Sequence, residues 1–209
     1  MQKPNNYEET QAQGEWTPVE LGGHKMIIKQ VSEKQSQNGK PMIVVLFDFA
    51  PDDKQPNYFM DSFQNDSRPD KKWSNQGTQY ILTEDQDGKC SRSFKTFCTC
   101  VENSNTGFTC WKNDQFDFVG IKGKKIGGVF GEQMDFYNGE EKKKRVLRWF
   151  CSMDKVADAV IPDLSETKAY KERPKNTGSA SDGFMNIPDG IDDGELPFNE
   201  SLWERVFQK

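Results

Sequence analysis

Between residues 122 and 150, cations and aromatic rings run close together. Lys122, Lys124, Lys125, Lys142, Lys143, Lys144, Arg145 and Arg148 interleave with Phe130, Phe136, Tyr137 and Trp149. These residue types suit contact with an unpaired polynucleotide, because ammonium and guanidinium groups follow phosphates while rings stack on bases of any sequence. Lys25 and Lys29 lie four apart in a strand-like segment and so share a face. Trp73, preceded by Lys71 and Lys72, offers a ring from a polar loop. The candidate contact set is Lys25, Lys29, Trp73, Lys122, Lys124, Lys125, Phe136, Tyr137, Lys143, Arg145, Arg148 and Trp149. The same residues also have plainer uses: large rings mostly pack, and a lysine-rich hairpin is often a solvated turn that discourages edge pairing.

Catalytic chemistry finds little material. The chain has one histidine, His24, which is expected to be a surface or packing residue. Asp48, Asp52, Asp53, Asp61, Glu84, Asp85 and Asp87 are dispersed, without a spacing that converges on a magnesium ion. Gly22-Gly23, Gly127-Gly128 and Gly131 are not followed by Gly-Lys-Ser/Thr, so no phosphate loop is expected. The five cysteines, at 90, 98, 100, 110 and 151, lack the Cys-x-x-Cys knuckle of a zinc site and are expected to be ordinary thiols. No enzyme, metal or cofactor is expected.

The elements that must position these residues begin with an apolar segment from Gly22 to Lys34. Asn38-Gly39 then signals a hairpin, and the return strand, residues 42–49, is apolar enough to predict burial on both faces. Residues 51–78 predict a long loop, and 79–82 a short strand. Ser91 to Asn103 predict a helix, with Phe94, Phe97, Cys98 and Val101 on one stripe and Ser91 or Ser93 as its cap. Lys124 to Tyr137 predict a strand bent at its glycines. The Asn138-Gly139 turn and the charge run 140–144 lead into a last strand, 145–152, in which Leu147, Trp149 and Cys151 oppose Val146, Arg148 and Phe150. Two architectures give this order of five strands with a helix between the third and fourth: an OB-fold-like barrel and an open-sheet α+β domain. The glycine-broken strand favours the mainly β barrel.

Residues 1–21 are expected to be a lead-in, residues 22–165 the folded body, and residues 166–209 an acidic, disordered tail. Residues 176–209 hold seven acidic and two basic groups, so the net charge of -5 resides there and the remainder balances at 26 of each sign. A balanced body is free to carry a basic stripe. The polar start and the lack of a long apolar run suggest a cytoplasmic setting without a membrane.

Four stretches carry a likeness to known proteins. They are Gln37–Met42 leading into an apolar strand, Phe94–Phe97 through Glu102–Asn105, Gly123–Gly131 with Arg145–Ser152, and Glu195-Leu196-Pro197-Phe198. With these, the chain resembles an OB-fold family of single-stranded DNA-binding proteins encoded by phages and mobile elements. The resemblance implies sequence-tolerant binding of single-stranded DNA in replication or recombination. It also implies recruitment of replication or recombination proteins by the tail residues Asp192, Asp193, Glu195, Leu196, Pro197 and Phe198. In the resembled tails the apolar tip ends the chain, whereas here residues 199–209 follow it. A second reading makes the body a protein-interaction module or recombination mediator with little DNA affinity of its own. Oligomeric state is left open, a homo-oligomer included.

Overall fold

The computed structural model describes residues 2–5, 7 and 17–174. In chain order the elements are β1 (Gly22–Gln35), β2 (Pro41–Phe49), α1 (Tyr58–Asn65), β3 (Thr78–Leu82), α2 (Arg92–Ser104), β4 (Trp111–Lys112), β5 (Gln115–Phe116), β6 (Lys125–Tyr137), β7 (Glu140–Cys151), β8 (Ser165–Glu166) and α3 (Lys168–Lys171). The fold is mainly β. Its main sheet runs β3-β2-β1-β6-β7 with antiparallel neighbours, and β8 pairs parallel to the far half of β6.

Local chemistry explains the well-predicted elements. Gly39 takes φ 73° between β1 and β2, and Asn138 (φ 53°) with Gly139 (φ 81°) turns β6 into β7. Asn and Gly enter this left-handed region at little cost, which is what a tight hairpin needs. Helix α2 starts at Ser91, whose Oγ accepts the Phe94 N–H at 3.2 Å, and its stripe of Phe94, Phe97, Cys98 and Val101 is buried. That stripe meets Phe47, Phe49, Phe130, Leu147 and Phe150 in one core; Phe97 and Phe150 rings lie 5.2 Å apart.

The sheet differs from the expected barrel in that it is open. Among the described residues β3 and β7 do not pair, so closure is lacking. The physical reason is the length of β3: residues 75–77 are spent in a 3-10 turn before it, and the Gln76 side chain reaches across the gap there, its Nε2 donating to the Arg145 carbonyl at 2.8 Å. Strand β2 is not buried on both faces over most of its length. Ile43, Val45 and Phe47 point inward, while Met42, Val44 and Leu46 are half-buried on the outer side.

Strand β7 begins at Glu140, directly after the turn, so the charge run is strand rather than loop. A bulge opposite Val129/Phe130 breaks the expected alternation, sending both Leu147 and Phe150 to the core and leaving Trp149 out. The expected loop 51–78 contains α1, whose Phe59 packs on Phe47 and Phe49. Residues 165–171 pair with or pack beside β6, and one compact unit extends through Arg173, past the expected body limit of 165. Val19 of the expected lead-in is fully buried. No helix among the described residues is long and apolar enough to cross a membrane.

Candidate functional site

Opposed residues of antiparallel strands share a face, so the strand registers sort the sheet's side chains. On the outer side of β1–β2–β3, Ser32 stands opposite Val44 and Val44 opposite Tyr80. Lys34 stands opposite Met42 and Met42 opposite Leu82, while Gln30 stands opposite Leu46. Tyr80 is 55% exposed and Leu82 39%, and Met42, Val44 and Leu46 add half-buried apolar surface between them. No hydrogen bond or ring contact engages the Tyr80 side chain among the described residues. Sequence reasoning missed this face because β2 read as buried on both sides; the five-residue alternation of β3 was the available signal.

The turn before β6 borders this face. Gly123 N–H donates to the Ile28 carbonyl at 2.7 Å, and Ile28 N–H to the Lys124 carbonyl at 2.9 Å, so residues 122–125 sit beside the middle of β1. The backbones of five predicted contact residues thus lie near one another about the start of the β1–β6 pairing: Lys25, Lys29, Lys122, Lys124 and Lys125. Their charges differ in availability. Lys122 and Lys125 are exposed and make no ion pair among the described residues. Lys124 lies with its ammonium 4.6 Å from the centre of the Phe108 ring. Lys25 pairs with Asp52 at 2.9 Å, and that hydrogen bond, with the charges of Lys25 and Lys125, holds the Asp52 carboxyl below the usual range against mild desolvation. Lys29 lies 3.5 Å from the buried Asp48.

The remaining predicted contacts do not join them. Strand alternation places Lys143 and Arg145 on one face of β7 and Lys142 and Lys144 on the other. Lys143 pairs with Glu132 at 2.5 Å, Lys144 with Asp135, and Lys142 with Glu140 at 3.3 Å. Arg145 donates to the Val19 carbonyl at 2.6 Å, and Arg148 to the carbonyls of Asp163 (3.1 Å) and Glu132 (3.4 Å). Both guanidinium groups thus tie strand β7 to neighbouring backbone through Nη1. Phe136 is half-buried. Tyr137 is 62% exposed, with the Lys142 ammonium 5.9 Å from its ring centre. Trp149, 46% exposed, lines a groove with Arg148, Lys155, Val160, Ile161 and Leu164, away from the 122–125 turn. Trp73 also serves packing: its Nε1–H donates to the Gly77 carbonyl at 3.0 Å and its ring meets Phe63 at 5.8 Å. Asp192, Asp193, Glu195, Leu196, Pro197 and Phe198 lie outside the described residues.

His24 is wholly buried, the packing alternative of the two expected. Its Nδ1 lies 2.8 Å from Asp53 Oδ2, its Nε2 lies 3.0 Å from the Glu20 carbonyl, and its ring stacks on Phe49 at 4.1 Å. Of the cysteines, Cys98 and Cys110 are buried, Cys100 and Cys151 half-buried and Cys90 exposed; burial pushes the Cys100 thiol up to about 11. None of the models of known protein families matches the chain. No curated protein sequence matches it either.

Proposed function

We propose that this protein binds single-stranded DNA, without strong sequence preference, on the outer face of β1–β2–β3. The observation that carries the reading is the uncovered strip of Tyr80, Leu82, Met42, Val44 and Leu46, bordered by Lys34 on β1 and by the Lys122–Lys125 turn. A ring and apolar side chains give bases a stacking surface, and the lysines supply the phosphate term. The sheet order supports an OB-like reading, in which β1, β2, β3, β6 and β7 are the five strands and α2 lies between the third and fourth. OB-folds are partly open barrels that carry oligonucleotides on their second and third strands, here β2 and β3. In this reading the protein serves replication or recombination in a phage or mobile element, and its acidic tail recruits partner proteins.

The test is a titration of oligo-dT and a duplex of equal length at low and moderate salt. Preferential, salt-sensitive binding of oligo-dT that weakens in Tyr80→Ala supports the reading; equal affinity for both, or no binding, rejects it. The paired state of Lys142, Lys143 and Lys144 favours a second reading, a protein-interaction module with little DNA affinity. Deleting residues 186–209 discriminates: loss of partner capture from a body that never bound oligo-dT supports this alternative.

A further inference from the structure

An aromatic pocket of about 680 Å³ opens where the end of β1, helix α2 and the β4–β5 hairpin meet. The hairpin exists because Asn113 (φ 49°) and Asp114 (φ 60°) both accept the left-handed conformation, which puts Trp111 directly opposite Phe116. The Phe116 ring lies 5.6 Å from Trp111, 5.7 Å from Phe94 and 4.9 Å from Phe118. Trp111 keeps 43% of its surface exposed. Two carboxylates, Glu33 and Glu84, complete the wall, and no lysine, arginine or histidine lines it. Both are exposed, and neither side chain makes an ion pair or hydrogen bond among the described residues.

We infer that this pocket is a docking site for a partner protein's arginine side chain presented next to apolar residues. Ring faces attract a cation, and a planar guanidinium both stacks on an indole and offers a fork of donors to carboxylates. Charge complementarity selects the occupant: two unpaired carboxylates beside the rings draw in a guanidinium and repel a phosphate. The site adjoins the proposed sheet face and shares Met42 with it, but its own wall carries carboxylates and no lysine.

The test is calorimetric titration of the full chain with a capped pentapeptide that holds one arginine between two leucines. A counterpart with citrulline, the neutral isostere, is run in parallel. The expected result is saturable binding of the arginine peptide and weakening by about tenfold or more with citrulline, with Trp111→Ala, and with Glu33→Gln combined with Glu84→Gln. The double glutamine variant removes only surface charge, so an unchanged thermal melt keeps the test valid if Trp111→Ala fails to fold. Equal binding of both peptides, no saturable heat, an unaffected double variant, or displacement of the peptide by oligo-dT each overturns the inference. Oligo-dT affinity that survives in the double variant separates this pocket from the sheet face.

Discussion

Asp48 brings a carboxylate into the core, and its surroundings decide what Lys29 is for. Oδ1 accepts the N–H groups of Phe49 and Phe59, both at 2.9 Å, and so ties the end of β2 to the start of α1. Oδ2 has no hydrogen bond and is balanced by the Lys29 ammonium 3.5 Å away. Removing one partner of such a pair leaves a buried charge uncompensated. Lys29→Met is therefore expected to cost about 1–3 kcal/mol in urea denaturation, and the added change Asp48→Asn to recover part of it. A lysine serving DNA alone would leave stability unchanged. His24 is tied in a similar way. Its two ring nitrogens lie against Asp53 Oδ2 and the Glu20 carbonyl. Burial raises the Asp53 pKa, but hydrogen bonds from His24 and from the Gln55 and Lys25 N–H groups outweigh it, and the net shift is downward from 3.8. A depressed carboxylate stabilises the fold above its unfolded value and loses that contribution as pH falls through the folded value. Stability should therefore decline below about pH 4, and Asp53→Asn should flatten that decline in pH-dependent thermal melts. Neither role was legible from the residues, because His24 and Asp53 meet only once β1 and the loop after β2 are folded.

At the scale of elements, three glycines decide how the segment after β7 lies across the outer face of the sheet. A side chain at Gly23 would come within 2.1 Å of the Val156 carbonyl oxygen, one at Gly127 within 2.5 Å of Val156 Cγ2, and one at Gly131 within 2.4 Å of Pro162 Cγ. The sequence signalled a bend at the β6 glycines. The bulge lies on β7 instead, where Arg148 is the extra residue opposite Val129/Phe130, and Gly127 and Gly131 serve close approach, which strand patterning does not encode. Overpacking against backbone is harder to relieve than against a side chain. Gly23→Ala is thus expected to destabilise by about 1–3 kcal/mol and to lower the melting temperature more than Gly131→Ala, where the added carbon meets side-chain atoms rather than backbone. Calorimetric melts of both variants check the order. The hairpin turns and α2 were readable because each rests on local chemistry. The open seam between β3 and β7, and the pairing of β8 with β6, depend on contacts distant in sequence.

Over the whole molecule, charge placement separates the lysines that remain available from those already spent. Sequence order suggested one basic trough from 122 to 148. Strand alternation divides it, and the acidic residues of β6 and β7 neutralise the hairpin half. The turn at 122–125 escapes: Lys122 and Lys125 are exposed and make no ion pair among the described residues. If single-stranded DNA lies there, changing Lys122 and Lys125 together to glutamine removes two phosphate contacts. The slope of log affinity against log salt should then fall by about 1.4, since each contact to a single strand contributes about 0.7. Changing Lys143 and Lys144 together to glutamine should move the slope far less, because Glu132 and Asp135 already hold those ammonium groups. The acidic segment sets the background for both measurements. Deleting residues 176–209 takes the net charge from -5 to zero and should tighten oligo-dT binding at low salt, with the gain fading as screening shortens the reach of the field. If the hairpin pair changes the slope as much as the turn pair, the DNA follows β6–β7, and the sheet face marked by Tyr80 is not the binding surface.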